Sequence, residues 1–194
     1  MQQIFSTNAT PAEYQRLGKE FPFPDLTGDL CRKCQKAKMK RHGFYERFLI
    51  AKDFQGYICV RRFICQKCGT TVSLLPWFCH PRRVFSTEMI HCALIGLLDW
   101  KSSVSAFIRS FASSFGVIFS RQLLYQYRKR IVRNCNRLLM EVTRQFCLDS
   151  PASSETEQQK RVRDALNIIE TKAPNPCQVS MNMFSHGFCT YLTL

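Results

Sequence analysis

Two Cys-x-x-Cys pairs, Cys31-Arg32-Lys33-Cys34 and Cys65-Gln66-Lys67-Cys68-Gly69, stand thirty residues apart and constrain this chain more than any other feature of it. Two residues between cysteines let the backbone turn back and aim both sulfurs at one point. Four thiolates in a tetrahedron are an arrangement that Zn²⁺ prefers. Gly69, directly after the second pair, suits a turn that needs positive φ. The interval is longer than the roughly 15–20 residues of the common four-cysteine template, and it is long enough for a β-hairpin between the two turns. The spacing therefore predicts one zinc ion held by Cys31, Cys34, Cys65 and Cys68. Two other readings stay open, a disulfide pair and a redox Cys-x-x-Cys. A redox pair usually opens a helix in a βαβ unit, and no such pattern surrounds these cysteines.

The hairpin is legible between the pairs. Residues 43–50 (Gly-Phe-Tyr-Glu-Arg-Phe-Leu-Ile) are rich in aromatic and β-branched types, Asp53-Phe54-Gln55-Gly56 supplies turn residues, and residues 57–64 (Tyr-Ile-Cys-Val-Arg-Arg-Phe-Ile) form a second strand. A third follows over 70–75. Strand, turn, strand and cysteine knuckle describe a zinc ribbon over residues 31–78. Alternation on the second strand groups Arg61 with Tyr57 and Cys59, and Arg62 with Ile58 and Val60. Cys59, Cys79 and His80 are spare ligands by type, but an isolated strand cysteine is more commonly a packing residue. His42 reads as a surface residue.

Charge is the second constraint. The chain has 194 residues and a net charge of +14. Residues 31–148 hold 22 basic against 5 acidic residues, a net +17, and the flanks carry the opposing −3. Such a surface attracts a polyanion by counterion release, and together with a zinc ribbon it points to nucleic acid. The ribbon's candidate contacts are Lys38, Lys40, Arg41, Arg47, Arg61 and Arg62. Eleven cysteines, an odd number, combine with a first stretch (Met1-Gln2-Gln3-Ile4-Phe5-Ser6) that lacks the basic start and apolar run of a secretory signal. These predict reduced thiols in the cytoplasm. No apolar run approaches the roughly 18 residues of a membrane span.

Four segments follow in order: a lead-in (1–30), the ribbon (31–78), a helical segment (79–147), and a linker with a short tail (148–194). In the lead-in, Thr10 caps a helix with Pro11 at its first position and Glu13 at its third, running to about Leu17. An extended joint over residues 76–87 leads from the ribbon into the helices. A helix follows over about 88–99, broken by Trp100-Lys101-Ser102-Ser103. A second spans about 104–114, with apolar residues at helical spacing. A turn containing Gly116 leads to Ser120, the cap of a third helix read as continuing to about Phe146. The linker is polar, with a short helix through about Ile169, and the cysteine-bearing tail from Pro174 reads as an interrupted opening or a docking segment. The fold class expected is α+β: a small β zinc ribbon followed by a helical segment with a helix-turn-helix-like layout. In that layout the start of the second helix meets base edges. The candidate DNA-binding residues are Ser120, Arg121, Gln122 and Tyr125, with Arg128, Lys129, Arg130 and Arg133 set for phosphates.

Several of these residues coincide with a family pattern. Cys31-x-x-Cys34, His42-Gly43-x-Tyr45-x-Arg47, and Arg62-Phe63-x-Cys65-x-x-Cys68-Gly69-x-Thr71-x-Ser73-x-Leu75-Pro76, followed by helices, resemble the amino-terminal zinc-ribbon and helix-turn-helix part of bacterial insertion-sequence transposases and related small mobile-element proteins. The resemblance covers about Cys31 to Phe146. It implies binding to the element's terminal DNA with the four cysteines as zinc ligands. It departs at the first knuckle, where the family often has Cys-Pro-x-Cys-Gly and this chain has Arg32 and Gln35. Transposases of this kind add a nuclease-like domain with three carboxylates holding two metal ions. After Phe146 only Asp149, Glu155, Glu157, Asp164 and Glu170 remain, in linker or short-helix context. The expectation is a zinc-dependent DNA-binding protein that is not an enzyme, with DNA as partner and a transposase catalytic subunit as a second. The alternative is a regulatory protein that docks on a transposase or RNA polymerase through the ribbon and the cysteine-rich tail.

Overall fold

The computed structural model describes residues 1–99, 103–146 and 158–172. The chain is α+β. Its elements in order are β1 (Gln2–Phe5), α1 (Pro11–Leu17), a single 3-10 turn (Gly18–Glu20), β2 (Met39–Ala51), β3 (Phe54–Cys65), β4 (Thr71–Pro76), α2 (Thr87–Asp99), α3 (Val104–Phe115), α4 (Arg121–Arg133), α5 (Cys135–Phe146) and α6 (Gln158–Lys172). It divides into two compact units, Met1–Thr87 and Glu88–Leu194.

The first unit is built on a four-stranded sheet in the order β1-β4-β3-β2. β2 and β3 form the long antiparallel hairpin expected from their aromatic and β-branched content, closed by Lys52-Asp53 between Ala51 and Phe54. The turn is thus shorter than the Asp53–Gly56 segment read from composition. β4 pairs antiparallel with β3, matching Phe63 to Val72. β1 adds a parallel edge beside β4, with Gln2 opposite Ser73 and Phe5 opposite Pro76. The sheet therefore takes in four residues that the sequence places in the lead-in.

One irregularity shapes the sheet. Arg41 pairs with Phe63, but the next pair is Phe44 with Arg61, so His42 and Gly43 stand opposite Arg62 alone. This is a β-bulge, with Gly43 at φ 91°. β3 buries Ile58 and Val60 before it, then Phe63 and Cys65 beyond it. The buried positions of β3 thus change parity across Arg61-Arg62, opposite the bulge.

Tyr14 is the hub of this unit's core. α1 begins with the expected capping box, Thr10 receiving the Glu13 N–H at 3.3 Å and donating its own N–H to the Glu13 carboxylate at 2.8 Å. The helix lays the fully buried Tyr14 ring among Phe21 (4.4 Å between centroids), Phe78 (5.6 Å) and Phe23 (5.9 Å). Its hydroxyl donates to the Cys59 carbonyl on β3 at 3.0 Å, as a buried tyrosine requires. The segment after β4, read as an extended joint, lies along the end of β2. Ile50 donates its N–H to the Val84 carbonyl, and Ser86 donates to the Ile50 carbonyl, both at 2.8 Å.

The second unit is helical in its described residues. Ser103 caps α3 by accepting the Ala106 N–H at 3.2 Å, and Gly116, left-handed at φ 64°, closes it by donating to the Ala112 carbonyl at 2.8 Å. Ser120 caps α4 by accepting the Leu123 N–H at 3.1 Å. Phe111 sits among Phe107, Phe115 and Phe119, with centroids 4.4–5.7 Å away. At Gly96 of α2, an added Cβ would come within 2.8 Å of the Phe107 ring, so only glycine permits that approach. The third helix does not run unbroken to Phe146. Asn134 interrupts it at φ −102°, its side-chain amide donating back to the Arg130 carbonyl at 2.9 Å. Val162, Ala165, Leu166 and Ile169 of α6 are fully buried, with Leu138, Leu139 and Val142 of α5 also in the core. The helix break at Trp100-Lys101-Ser102, most of the linker and the tail from Pro174 lie outside the described residues.

Candidate metal centre

Each pair of cysteines sits in a tight knuckle, and the two knuckles are built alike. In the first, Gln35 donates its N–H to the Cys31 carbonyl at 2.7 Å, and Cys31 donates to the Ala37 carbonyl at 2.9 Å. In the second, Gly69 donates to the Cys65 carbonyl and Cys65 donates to the Thr70 carbonyl, both at 2.9 Å. The residue four places after the leading cysteine is left-handed in both, Gln35 at φ 52° and Gly69 at φ 67°. The departure at position 35 therefore leaves the turn intact, and a glutamine occupies a glycine's conformation. The knuckles meet because Met39 at the start of β2 pairs with Cys65 at the end of β3.

The four sulfurs all lie within 4.8 Å of one another. Cys31 and Cys68 are 3.6 Å apart, as are Cys34 and Cys65. A tetrahedron with Zn–S bonds near 2.3 Å has S···S edges of about 3.8 Å. A disulfide would need about 2.05 Å, and all four cysteines are free. Cys31 and Cys65 are buried and Cys34 and Cys68 half-buried. Among the described residues this is the one group of three or more Cys, His, Asp or Glu side chains close enough to share an ion.

The surroundings favour thiolates on the outer pair. Cys68 is pulled down to about 6 by the Thr70 hydroxyl, 3.2 Å from its sulfur, and by the Thr70 N–H. Cys34 is lowered chiefly by the Lys36 N–H. Cys65 faces the N–H groups of Cys68 and Lys67, yet burial and the neighbouring sulfurs push it up to about 11. A divalent cation reverses that last effect, since metal binding displaces the remaining protons. The residues fit a divalent ion with soft-ligand preference; the chemistry it would supply is cross-linking of two knuckles in a unit with a small core.

The basic side chains named from sequence fall into distinct environments. Lys38, Lys40 and Arg41 are exposed at the start of β2, the sheet's outer strand, and Arg41 pairs with Asp25 at 2.7 Å. Arg47 is half-buried and donates to the carbonyls of His80 and Arg83, tying down the segment after β4. Arg61 lies over the Phe44 ring at 4.5 Å, and Arg62 over Tyr45 at 6.0 Å. In the second unit, α4 buries Leu124, Tyr127 and Ile131 and exposes Arg121, Gln122, Tyr125, Lys129 and Arg133. Ser120 is exposed at its cap, Arg128 and Arg130 are half-buried, and Arg121 donates to the Ser105 hydroxyl of α3. The spare ligand types are elsewhere: Cys79 is fully buried and held up at about 12 by that burial. Thr70 is a site residue that the sequence did not single out; it was legible only as a hydroxyl two places after a ligand.

Residues 31–108 match a family described only as a domain of unknown function, DUF6431. The match opens on Cys31, so it takes in all four cysteines. Comparison with curated proteins and with solved structures found no match. Among the described residues no helix is long and apolar enough to cross a membrane.

Proposed function

We propose that this chain is a zinc-dependent DNA-binding protein related to insertion-sequence transposases, without catalytic machinery of its own. The ribbon, with zinc on Cys31, Cys34, Cys65 and Cys68, sits on the phosphate backbone, and α4 reads bases. The observation that carries this reading is the division of α4. Leu124, Tyr127 and Ile131 are turned inward, and the outward face presents Arg121, Gln122 and Tyr125 in the first turns and Lys129 and Arg133 further on. Arg and Gln can make paired hydrogen bonds to guanine and adenine, while Lys and the later Arg suit phosphates. The bland account of the same charges is a solvated helix and an outer strand kept from aggregating by its lysines and arginines.

The test is duplex binding by fluorescence anisotropy against the ends of an insertion element and a scrambled duplex, over a salt series. Lys129→Ala should weaken both duplexes alike and reduce the salt slope by about 1, and Arg121→Ala should narrow the gap between them. Equal salt slopes for wild type and Lys129→Ala, or no binding at low salt, would remove the basis for the proposal.

A further inference from the structure

The β2 bulge borders a cleft of about 300 Å³ between the sheet and the residues just after the 3-10 turn, a volume at the small end of ligand sites. Its walls are unusual for a surface depression. Phe23 and Phe44 are both half-buried, with centroids 5.6 Å apart. Arg61 crosses the cleft over two rings, 4.5 Å from Phe44 and 5.6 Å from Phe63, and it forms no ion pair with a described carboxylate. Lys19 and Arg41 stand at the rim, and Asp25 holds Arg41 at 2.7 Å. The arrangement lies beside the bulge: Phe44 and Arg61 form the first pair on its hairpin side.

We propose that this cleft takes an unpaired nucleotide of a nucleic-acid strand. The inference rests on the nucleic-acid reading above and adds a site for a single strand, distinct from the α4 surface for duplex. Flat rings and a stacked guanidinium are what an unstacked base needs, and every base has a π-face to offer. Arg41 and Lys19 lie where the base's phosphate would be met. Asp25 and Glu20, both in the cleft's lining, are the competing anions: a phosphate at the rim must take Arg41 from Asp25 and avoid the Glu20 carboxylate. A purely apolar ligand would use the rings but give Lys19 and Arg41 at the rim no new partner.

The experiment uses the full chain with zinc bound and three fluorescent probes: a short oligo-dT, the matching oligo-rU, and a blunt duplex. Phe44→Leu keeps the apolar bulk and removes the ring. It should weaken the single strands by about tenfold, one base stack, and leave the duplex within about twofold. Asp25→Asn keeps an acceptor for the Thr27 N–H, which Asp25 receives at 2.9 Å, and frees Arg41. It should tighten the single strands by about threefold, the order of one surface ion pair. The oligo-dT and oligo-rU arms decide between DNA and RNA as the source of the nucleotide. Single-strand affinity unmoved by both substitutions would overturn the cleft, as would a loss in Phe44→Leu that is equal on duplex. If wild type binds duplex but no single strand, the cleft alone is refuted; if it binds neither, the nucleic-acid reading falls with it.

Discussion

The two knuckles contain their own control for backbone strain. Gln35 and Gly69 occupy equivalent places, at φ 52° and 67°. A side-chain-bearing residue in the left-handed region costs roughly 1–2 kcal/mol, while glycine gives back about 0.5–1 kcal/mol through its freer unfolded chain. Gln35→Gly should therefore stabilise the first unit by about 0.5–1 kcal/mol. Gly69→Gln should destabilise by a similar amount, and its penalty is conformational, because a Cβ there would meet nothing within 4 Å. For a unit of this size that is a shift of about 3–6 °C in opposite directions, read by thermal melts at fixed free zinc, since bound zinc adds to apparent stability. Elsewhere glycine is the destabilising choice, so the sign decides the matter. A Gln35→Gly protein that melts lower than wild type would refute the equivalence of the knuckles.

Other consequences can be checked with the same melts. Thr10→Ala removes the hydroxyl half of the capping box, keeps the backbone N–H bond to the Glu13 carboxylate, and should cost about 1 kcal/mol. Tyr14→Phe should cost about 1 kcal/mol by leaving the Cys59 carbonyl without its donor. His80 is 2% exposed, and burial, with help from Arg83 and Arg47, pulls it down to about 4 against the Pro81 carbonyl. The unfolded histidine protonates near 6.5 and the folded one does not, so stability falls as pH drops from about 6.5 to 4, by up to roughly 3 kcal/mol. His80→Gln should remove that part of the slope; an unchanged difference between pH 7 and pH 4.5 would contradict it.

What could be read from the chain was local. Cysteine spacing marked the knuckles, because two residues between ligands define a turn by themselves. Thr10, Ser103, Gly116 and Ser120 marked helix ends through bonds spanning three or four residues. What could not be read depended on distant partners. β1 has only four residues, and its ladder is with β4, some seventy positions later. The bulge at His42-Gly43 shows itself only against Arg62. Arg47 looked like one more surface cation, because the carbonyls that engage it belong to His80 and Arg83. Asn134 ends α4 with a side-chain bond that competes with the helix, in a stretch whose apolar periodicity continues across it. Gln35 is left-handed because the knuckle imposes it, against the residue's own preference.

The central claim is that four sulfurs hold one ion, and X-ray absorption at the zinc edge on purified protein tests it most directly. The expected result is one zinc per chain in a shell of four sulfurs at about 2.3 Å, lost together with the fold of the first unit when Cys34→Ser is introduced with chelator present. A protein without bound metal, a shell containing nitrogen or oxygen in place of sulfur, or a disulfide between Cys34 and Cys65 would contradict it.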